Sequence, residues 1–176
     1  MLSGETAYGD YPVEAVSVMA RVAHQAEQDS IYGFGQLDVP LSVHPDVTEF
    51  FAKEAVMATK IMNLRAIIMD SFSGRTARYV SSFRGKCVTF AICYKESTVR
   101  HLALSYGVYA LHMPTKSFGH EFLMAALHKL IADGVLHAED RICYLGSQRK
   151  EQRTSFMEMN IVANLLDAEG KEYIRN

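Results

Sequence analysis

Side chains that can bind an anion are concentrated in the segment Asp70-Ser71-Phe72-Ser73-Gly74-Arg75-Thr76. The segment lies at the junction of a short apolar strand, predicted over residues 65–70, and a helix predicted over residues 74–83. The first N–H groups of the helix, three hydroxyls and one guanidinium can therefore converge on one anion. A helix terminus contributes only about 0.3–1 kcal/mol towards a charge, so the side chains must supply most of the affinity. The sequence predicts a phosphate site formed by Ser71, Ser73, Gly74, Arg75 and Thr76. The alternative is an ordinary helix cap at Ser71 or Ser73 that binds nothing.

A second group of cations lies in residues 147–153, where Arg149, Lys150 and Arg153 occupy a connection of hairpin length. Such a loop could close over a phosphate held by residues 71–76, because its cations would supply further charged donors. The alternative is a solvated surface turn.

Motifs for metal or nucleophile chemistry are not recognisable in this sequence. His120 and His128 are eight residues apart, whereas a zinc-binding HExxH helix places its histidines four apart. The three cysteines, Cys87, Cys93 and Cys143, show no CxxC spacing and predict reduced thiols buried on strands, as expected of a cytoplasmic chain. We therefore expect no catalytic residue, no metal site and no cofactor in this chain.

Charge and hydropathy exclude two classes of partner. Eighteen basic and 20 acidic residues give a net charge of −2, which removes any general electrostatic basis for nucleic-acid binding. Apolar runs are too short for a transmembrane helix, and no basic segment precedes an apolar one as in a signal peptide. The 176 residues, 49% of them hydrophobic, are typical of one globular domain with or without a short appendage.

Helical and strand patterns alternate along most of the chain. Helices are predicted over residues 13–28, 46–62, 74–83, 96–105 and 119–133, and strands over residues 65–70, 87–93, 108–112, 140–145 and 154–162. This order predicts a three-layer α/β/α sandwich with a five-stranded, mostly parallel sheet whose last strand is antiparallel. Glycines and prolines at 30–45 predict a linker between a first segment, 1–29, and a domain, 46–164. Residues 165–176 are expected to form a flexible tail.

The last predicted strand, residues 154–162, has the features of an interface between copies of the chain. It contains no proline and no lysine, and Glu158 is its only charged residue. An edge strand with so little protection is a template for another strand. We expect a homo-oligomer through this strand, with the antiparallel self-pairing that a two-fold axis allows.

Four passages carry a resemblance to pyruvate kinases: MLSGETAYGDYPVEAV at residues 1–16, SFSGRTAR at 71–78, SYGV at 105–108 and LGS at 145–147. The first resembles the last strand, turn and helix of that family's catalytic barrel, and the others resemble signatures of its C-terminal domain. The resemblance implies a C-terminal regulatory and oligomerisation domain that binds a phosphorylated effector, in a cytoplasmic parent enzyme. That parent converts phosphoenolpyruvate and ADP to pyruvate and ATP with Mg²⁺ and K⁺.

In the family, the catalytic and metal-binding residues belong to barrel segments that would lie upstream of residue 1. The resemblance therefore implies that this chain alone does not turn over substrate. It also implies that the stripe formed by Val16, Met19, Ala20 and Ala23 on the first helix lacks its barrel partners. We expect residues 1–30 either to pack against a neighbouring chain or to be mobile.

Two departures from the family concern the effector. Members that bind fructose bisphosphate commonly have a tryptophan near a Gly-rich loop and a Lys or Thr where this chain has Phe72, and this chain has no tryptophan. A different phosphorylated effector, or none, remains open. Two other functions also remain open: a free-standing phosphate-binding or small-molecule-binding protein, and a pure dimerisation domain.

Overall fold

The computed structural model describes residues 3–28, 39–114, 117, 119–147 and 153–172, without the side chains beyond residue 167. The chain divides into two compact units, residues 1–38 and residues 39–176.

The described part of the first unit consists of the helices α1 (Gly4–Ala7) and α2 (Pro12–Gln28). The predicted helix is confirmed, and it begins at Pro12, whose missing N–H costs nothing in a first turn. α1 stands where the resemblance implies the end of a barrel strand and its turn, while Met1 and Leu2 lie outside the described residues. Neither helix buries a side chain, and Val16 and Met19 of the predicted apolar stripe are 52% and 41% exposed.

The second unit is built on a five-stranded sheet in the order β3-β2-β1-β4-β5. The strands are β1 (Ala66–Ser71), β2 (Val88–Cys93), β3 (Val108–His112), β4 (Arg141–Gly146) and β5 (Phe156–Ile161). The helices are α3 (Val47–Ile61), α4 (Arg75–Ser82), α5 (Glu96–Leu102), α6 (Gly119–Ala132) and α7 (Val162–Glu172). β1 pairs in parallel with β2 and β4, β2 pairs in parallel with β3, and β5 pairs antiparallel with β4. The predicted mostly parallel sheet with an antiparallel last strand is confirmed.

β1 is apolar at four consecutive positions because helices cover both faces of the sheet. Ala66 and Ile68 belong to a core cluster with residues of α6 and α7, whereas Ile67 and Met69 belong to a cluster with residues of α3, α4 and α5. Alternate residues of a strand point to opposite faces, so a central strand needs apolar residues at every position. Each fully buried isoleucine or methionine side chain contributes about 1.5–3 kcal/mol to the free energy of unfolding.

The end of the chain differs from its prediction. Residues 162–172 form α7, where the sequence predicted the last residue of a strand and a flexible tail from 165. Val162 and Leu165 are 0% and 3% exposed and belong to the core cluster with α6. Because residues three apart lie on the same side of a helix, these two side chains form the apolar face of α7. Residues 173–176 of the predicted tail lie outside the described residues.

The cysteines occupy the sheet much as predicted. All three are free thiols; Cys93 in β2 and Cys143 in β4 are buried, and Cys87, just before β2, is partly buried. Desolvation raises the pKa of the Cys93 thiol to about 11, so it stays protonated at neutral pH. Within the described residues, no helix is long and apolar enough to cross a membrane.

Candidate functional site

A pocket of about 380 Å³ lies at the carboxyl end of β1, and five of the residues predicted to bind an anion line it: Ser71, Ser73, Arg75, Thr76 and Arg153. We call it the switch-point pocket, and its lining residues are Thr48, Asp70, Ser71, Phe72, Ser73, Arg75, Thr76, Ser147, Arg153 and Thr154. β1 has β2 on one side and β4 on the other, and the chain runs outwards from β1 to β3 before it returns to β4. Ligands of open α/β sheets bind at such a reversal point, outside the carboxyl ends of the strands.

The turn between β1 and α4 is shaped by Ser71 and Gly74. Ser71 is buried, and its Oγ accepts a hydrogen bond from the N–H of Gly74 at 3.1 Å. Gly74 is the N-cap residue of α4 with φ of +78°, a left-handed conformation that suits glycine. No described side chain caps this helix, so the N-cap is neither Ser71 nor Ser73. The start of α4 therefore presents N–H groups at the pocket.

Arg75 lies at the centre of the charged contacts. Its guanidinium forms an ion pair with Asp46, which precedes α3, and lies over the ring of Tyr79 with 5.7 Å to the centroid. Nη1 of Arg153 lies 3.9 Å from Oδ2 of the same Asp46. Two cations from distant parts of the chain thus meet at one carboxylate, and their contact with a phosphate stays a prediction. Arg149 and Lys150 lie outside the described residues.

A pair of threonines joins the segment before β5 to α4. The Oγ1 atoms of Thr76 and Thr154 are 2.9 Å apart, which is a hydrogen-bond distance. Because Thr154 follows Arg153 directly, this bond holds the described end of the 147–153 loop beside the first turn of α4. Ser73, by contrast, is exposed and accepts a hydrogen bond at its carbonyl from Nη1 of Arg78 at 3.2 Å.

The first turn of α3 forms the opposite wall of the pocket, which the sequence analysis did not predict. Oδ1 of Asp46 accepts from the N–H of Glu49 at 2.9 Å and so caps the helix. Thr48 is 1% exposed, and its hydroxyl has no hydrogen-bond partner in the described structure. The sequence signal was available as Asp46 followed three residues later by Glu49, a typical helix start. The sequence did not indicate that this start faces residue 75, 29 positions away.

Asp70 adds a titratable carboxyl to the pocket. Burial raises its pKa to about 6, although a hydrogen bond from the Tyr94 hydroxyl at 3.3 Å acts in the opposite direction. Next to it, Phe72 packs beneath Lys95, whose Nζ lies 3.9 Å from the ring centroid. Phe72 thus contributes an apolar ring with a cation above it to the lining of the pocket.

A second pocket, of about 500 Å³, lies at the opposite end of the sheet, beside the first residues of β1, β2 and β4. Its charged lining is mixed, with three cations, Arg65, Lys86 and Arg141, and two carboxylates, Glu139 and Asp140. It also lies away from the carboxyl ends of the strands, so the switch-point pocket is the better candidate for an anion. Within the described ranges, no group of three or more His, Cys, Asp or Glu residues is placed to hold a metal ion.

Comparison with known proteins identifies the family of the chain. The family model described as "Pyruvate kinase, alpha/beta domain" matches residues 49–161. A pyruvate kinase of Borreliella burgdorferi is 36% identical over 94% of this chain and 35% of its own length. One of Bacillus licheniformis is 29% identical over 94% of this chain and 28% of its own length.

Solved structures give the same result. A crystal structure of a pyruvate kinase from Cryptosporidium parvum superimposes with a TM-score of 0.74 and 26% identity, over 92% of this chain and 32% of that one. The chain spans about a third of the length of the relatives that it matches. The match includes β1 to β5 and the 70–76 turn, and the chain therefore belongs to the family of the pyruvate kinase alpha/beta domain.

Proposed function

We propose that this chain acts as the C-terminal regulatory and oligomerisation domain of a pyruvate kinase, and that it binds a phosphorylated effector in the switch-point pocket. One observation carries the proposal. The start of α4 and the guanidinium groups of Arg75 and Arg153 meet at the point of the sheet where α/β proteins bind ligands. Charge-assisted hydrogen bonds from arginine are the strongest that a protein offers to a phosphate.

The parent enzyme that we propose is a cytoplasmic phosphotransferase that makes pyruvate and ATP from phosphoenolpyruvate and ADP. Phosphoryl transfer relies on metal charge and precise positioning. We expect Mg²⁺ and K⁺ to be bound by other parts of that parent. We expect no turnover by the 176 residues alone. An assay of this chain coupled to lactate dehydrogenase, with Mg²⁺ and K⁺ present, should give only the background rate.

The chemistry of the pocket narrows the effector. Arg75 and Arg153 suit one phosphate group, and Ser71, Thr76 and Thr154 provide hydroxyls around it. Phe72 adds an apolar ring to the lining at the position where the resemblance implies a Lys or Thr. A ligand with one phosphate and a less polar remainder therefore fits better than fructose bisphosphate.

A free-standing phosphate-binding protein is the second candidate. It is favoured by the fact that residues 39–176 form a compact unit with its own core on both faces of the sheet. Both candidates use the same phosphate site. They differ in whether binding of the phosphate changes the activity of an attached catalytic domain. A pure dimerisation domain would bind no phosphate at all.

Calorimetric titration with inorganic phosphate, sugar monophosphates, fructose bisphosphate and nucleotides tests the proposal. We expect binding by wild type and a loss of affinity on the order of tenfold or more in Arg75→Gln, which removes one charged donor. Arg100→Gln is the matched control, since Arg100 is exposed on α5 and pairs only with Glu96 at 3.5 Å among its described contacts. Absence of binding, or equal affinity of both variants, would contradict an effector site at Arg75.

A further inference from the structure

We propose that the first turn of α3 completes the anion site in two ways: Thr48 donates its hydroxyl to the phosphate, and Asp46 competes with the phosphate for Arg75 and Arg153. This inference rests on the proposed function, because it assigns further residues and a mode of regulation to the same pocket. Those residues singled out by the sequence that the structure describes lie outside α3.

Thr48 is the first observation. Its side chain lines the switch-point pocket, it is 1% exposed, and its Oγ1 has no hydrogen-bond partner in the described part of the chain. Buried hydroxyls are nearly always hydrogen-bonded, because an unsatisfied one loses its hydration without compensation. A phosphate oxygen in the pocket would accept this hydrogen bond.

Asp46 is the second observation. One oxygen of its carboxylate caps α3 through the N–H of Glu49, and the other faces both Arg75 and Arg153. The cap fixes the position of the carboxylate, which therefore occupies donors that a phosphate needs. Glu49 is held in turn, because its carboxylate accepts hydrogen bonds from the N–H and the hydroxyl of Ser42, both at 2.6 Å.

The charge balance shows how Asp46 sets the affinity. Arg75 and Arg153 bring two positive charges to the pocket, and Asp46 and ionised Asp70 bring two negative ones. A phosphate that displaces Asp46 gains two guanidinium partners but meets a site without net positive charge. Asp46 thus limits binding to anions that offer more acceptor oxygens than a single carboxylate, as a phosphate does.

The helix directions support an anion at this place. The amino-terminal ends of α3 and α4 both border the pocket, through Thr48 on one side and Arg75 and Thr76 on the other. Each helix start carries a partial positive charge that attracts an anion. Thr48 adds the independent evidence that a polar partner is required there.

Three substitutions separate these roles, with inorganic phosphate as the probe in calorimetric titrations at pH 7.5. Asp46→Asn removes the charge but keeps a good helix cap, so phosphate should bind on the order of tenfold more tightly. Thr48→Val keeps the shape but removes the hydroxyl, so phosphate should bind on the order of tenfold more weakly. Thr48→Ser should restore wild-type affinity.

Thr59→Val is the matched control for Thr48, because Thr59 is also buried on α3 but bonds the carbonyl of Val56 at 2.7 Å and does not line the pocket. Phosphate affinity should be unchanged in this variant. If phosphate binds wild type and Arg75→Gln weakens it, while Asp46→Asn and Thr48→Val leave it unchanged, the inference is overturned and the proposed function stands. If neither wild type nor Asp46→Asn binds any phosphate compound, both fail. Binding by Asp46→Asn but not by wild type would support the competition and contradict the proposed function.

Discussion

Asp70 is the residue whose ionisation the fold disturbs most clearly within the switch-point pocket. Its pKa is about 6 instead of 3.8, so the fold favours the protonated form. The resulting contribution to stability is fully present below pH 3.8 and is lost as the pH rises through 6. At pH 7.5 the ionised Asp70 side chain therefore lowers the free energy of unfolding. Asp70→Asn removes this charge and keeps an oxygen that accepts the hydrogen bond from the Tyr94 hydroxyl.

We expect Asp70→Asn to raise the free energy of unfolding by about 1–3 kcal/mol at pH 7.5 and to have little effect at pH 4. Urea denaturation of both proteins at the two pH values measures the difference. An equal effect at both pH values would mean that the charge of Asp70 is not the cause.

Both the backbone conformation and the crowding by neighbouring side chains favour glycine at position 74, and the two effects on stability can be measured separately. Its φ is +78°, and a Cβ there would lie 3.1 Å from Cδ2 of Leu102 and 3.2 Å from Nη1 of Arg78. Gly107 has φ of +67° but no neighbour within 4 Å of such a Cβ. Gly107→Ala should lose about 1 kcal/mol of stability from backbone strain alone. Gly74→Ala should lose roughly 1 kcal/mol more because of the crowding.

Thermal or urea unfolding of the two glycine variants gives the comparison. Equal losses would show that Leu102 and Arg78 move aside and that only the backbone conformation matters. A larger loss in Gly74→Ala, with phosphate affinity also reduced, is the expected result, since the turn holds the start of α4.

At the scale of residues, the sequence predicts only the wall of the switch-point pocket that residues 71–76 form. Ser71, Gly74, Arg75 and Thr76 lie within six positions, so strand-turn-helix logic brings them together. Asp46 and Thr48 begin a different helix, and their position opposite Arg75 depends on how α3 packs beside α4. No local pattern encodes that packing, so both residues were missed.

At the scale of elements, β5 is the outer strand on one side of the sheet. The N–H of Val162 bonds the carbonyl of Asp140, and Tyr144 is opposite Glu158. Because alternate residues of an antiparallel strand face the partner strand, Glu158 directs its N–H towards β4 and Met159 directs its N–H outwards. The bond from the N–H of Ile161 to Oδ1 of Asn160 agrees with this pattern.

If two copies pair through the outer edge of β5, Met159→Pro should convert a dimer to a folded monomer, because proline removes an outward N–H. Met159→Ala is the control that changes the side chain and keeps the N–H. Glu158→Pro should instead remove a hydrogen bond of the β4–β5 ladder and destabilise the fold itself. Light scattering at micromolar concentration measures the mass. A wild-type mass of one 19.7 kDa chain, or a dimeric Met159→Pro, would exclude this edge.

The order of elements was predictable because periodicity and length agree in each one. β1 and β2 are apolar runs of strand length, and the left-handed Gly134 follows α6, as expected where a helix ends. α7 was not predictable in the same way. Its apolar residues Val162, Leu165 and Leu166 cover less than two turns, and the charged residues after them resemble a solvated tail. Packing against α6 decides its structure.

At the scale of the whole molecule, the two units differ in how they bury their residues. Among the described residues, every buried hydrophobic residue of the core lies at position 52 or beyond, whereas α2 exposes Val13, Val16, Val18 and Val22. The resemblance anticipated this, since α2 corresponds to a helix whose barrel partners would lie elsewhere in a parent enzyme. Composition alone could not predict this exposure, because the valines of α2 form the pattern of an ordinary amphipathic helix.

A chain of residues 39–176 should therefore keep the urea midpoint of the full chain, since it retains the whole core. It should also remain dimeric if β5 is the interface. Light scattering of this shorter chain decides the second point. A monomer would place the interface in residues 1–38, where exposed valines offer apolar area worth about 25 cal/mol for each Å² covered.

The central claim is that an anion binds at the start of α4. The most direct measurement is the change in ¹⁵N–¹H amide shifts of the 176-residue chain during titration with inorganic phosphate. The claim predicts saturable changes centred on Gly74, Arg75, Thr76 and Thr48, with the same affinity at each. Changes centred instead on Arg65, Lys86 and Arg141 at the opposite end of the sheet, or no saturable change, would contradict it.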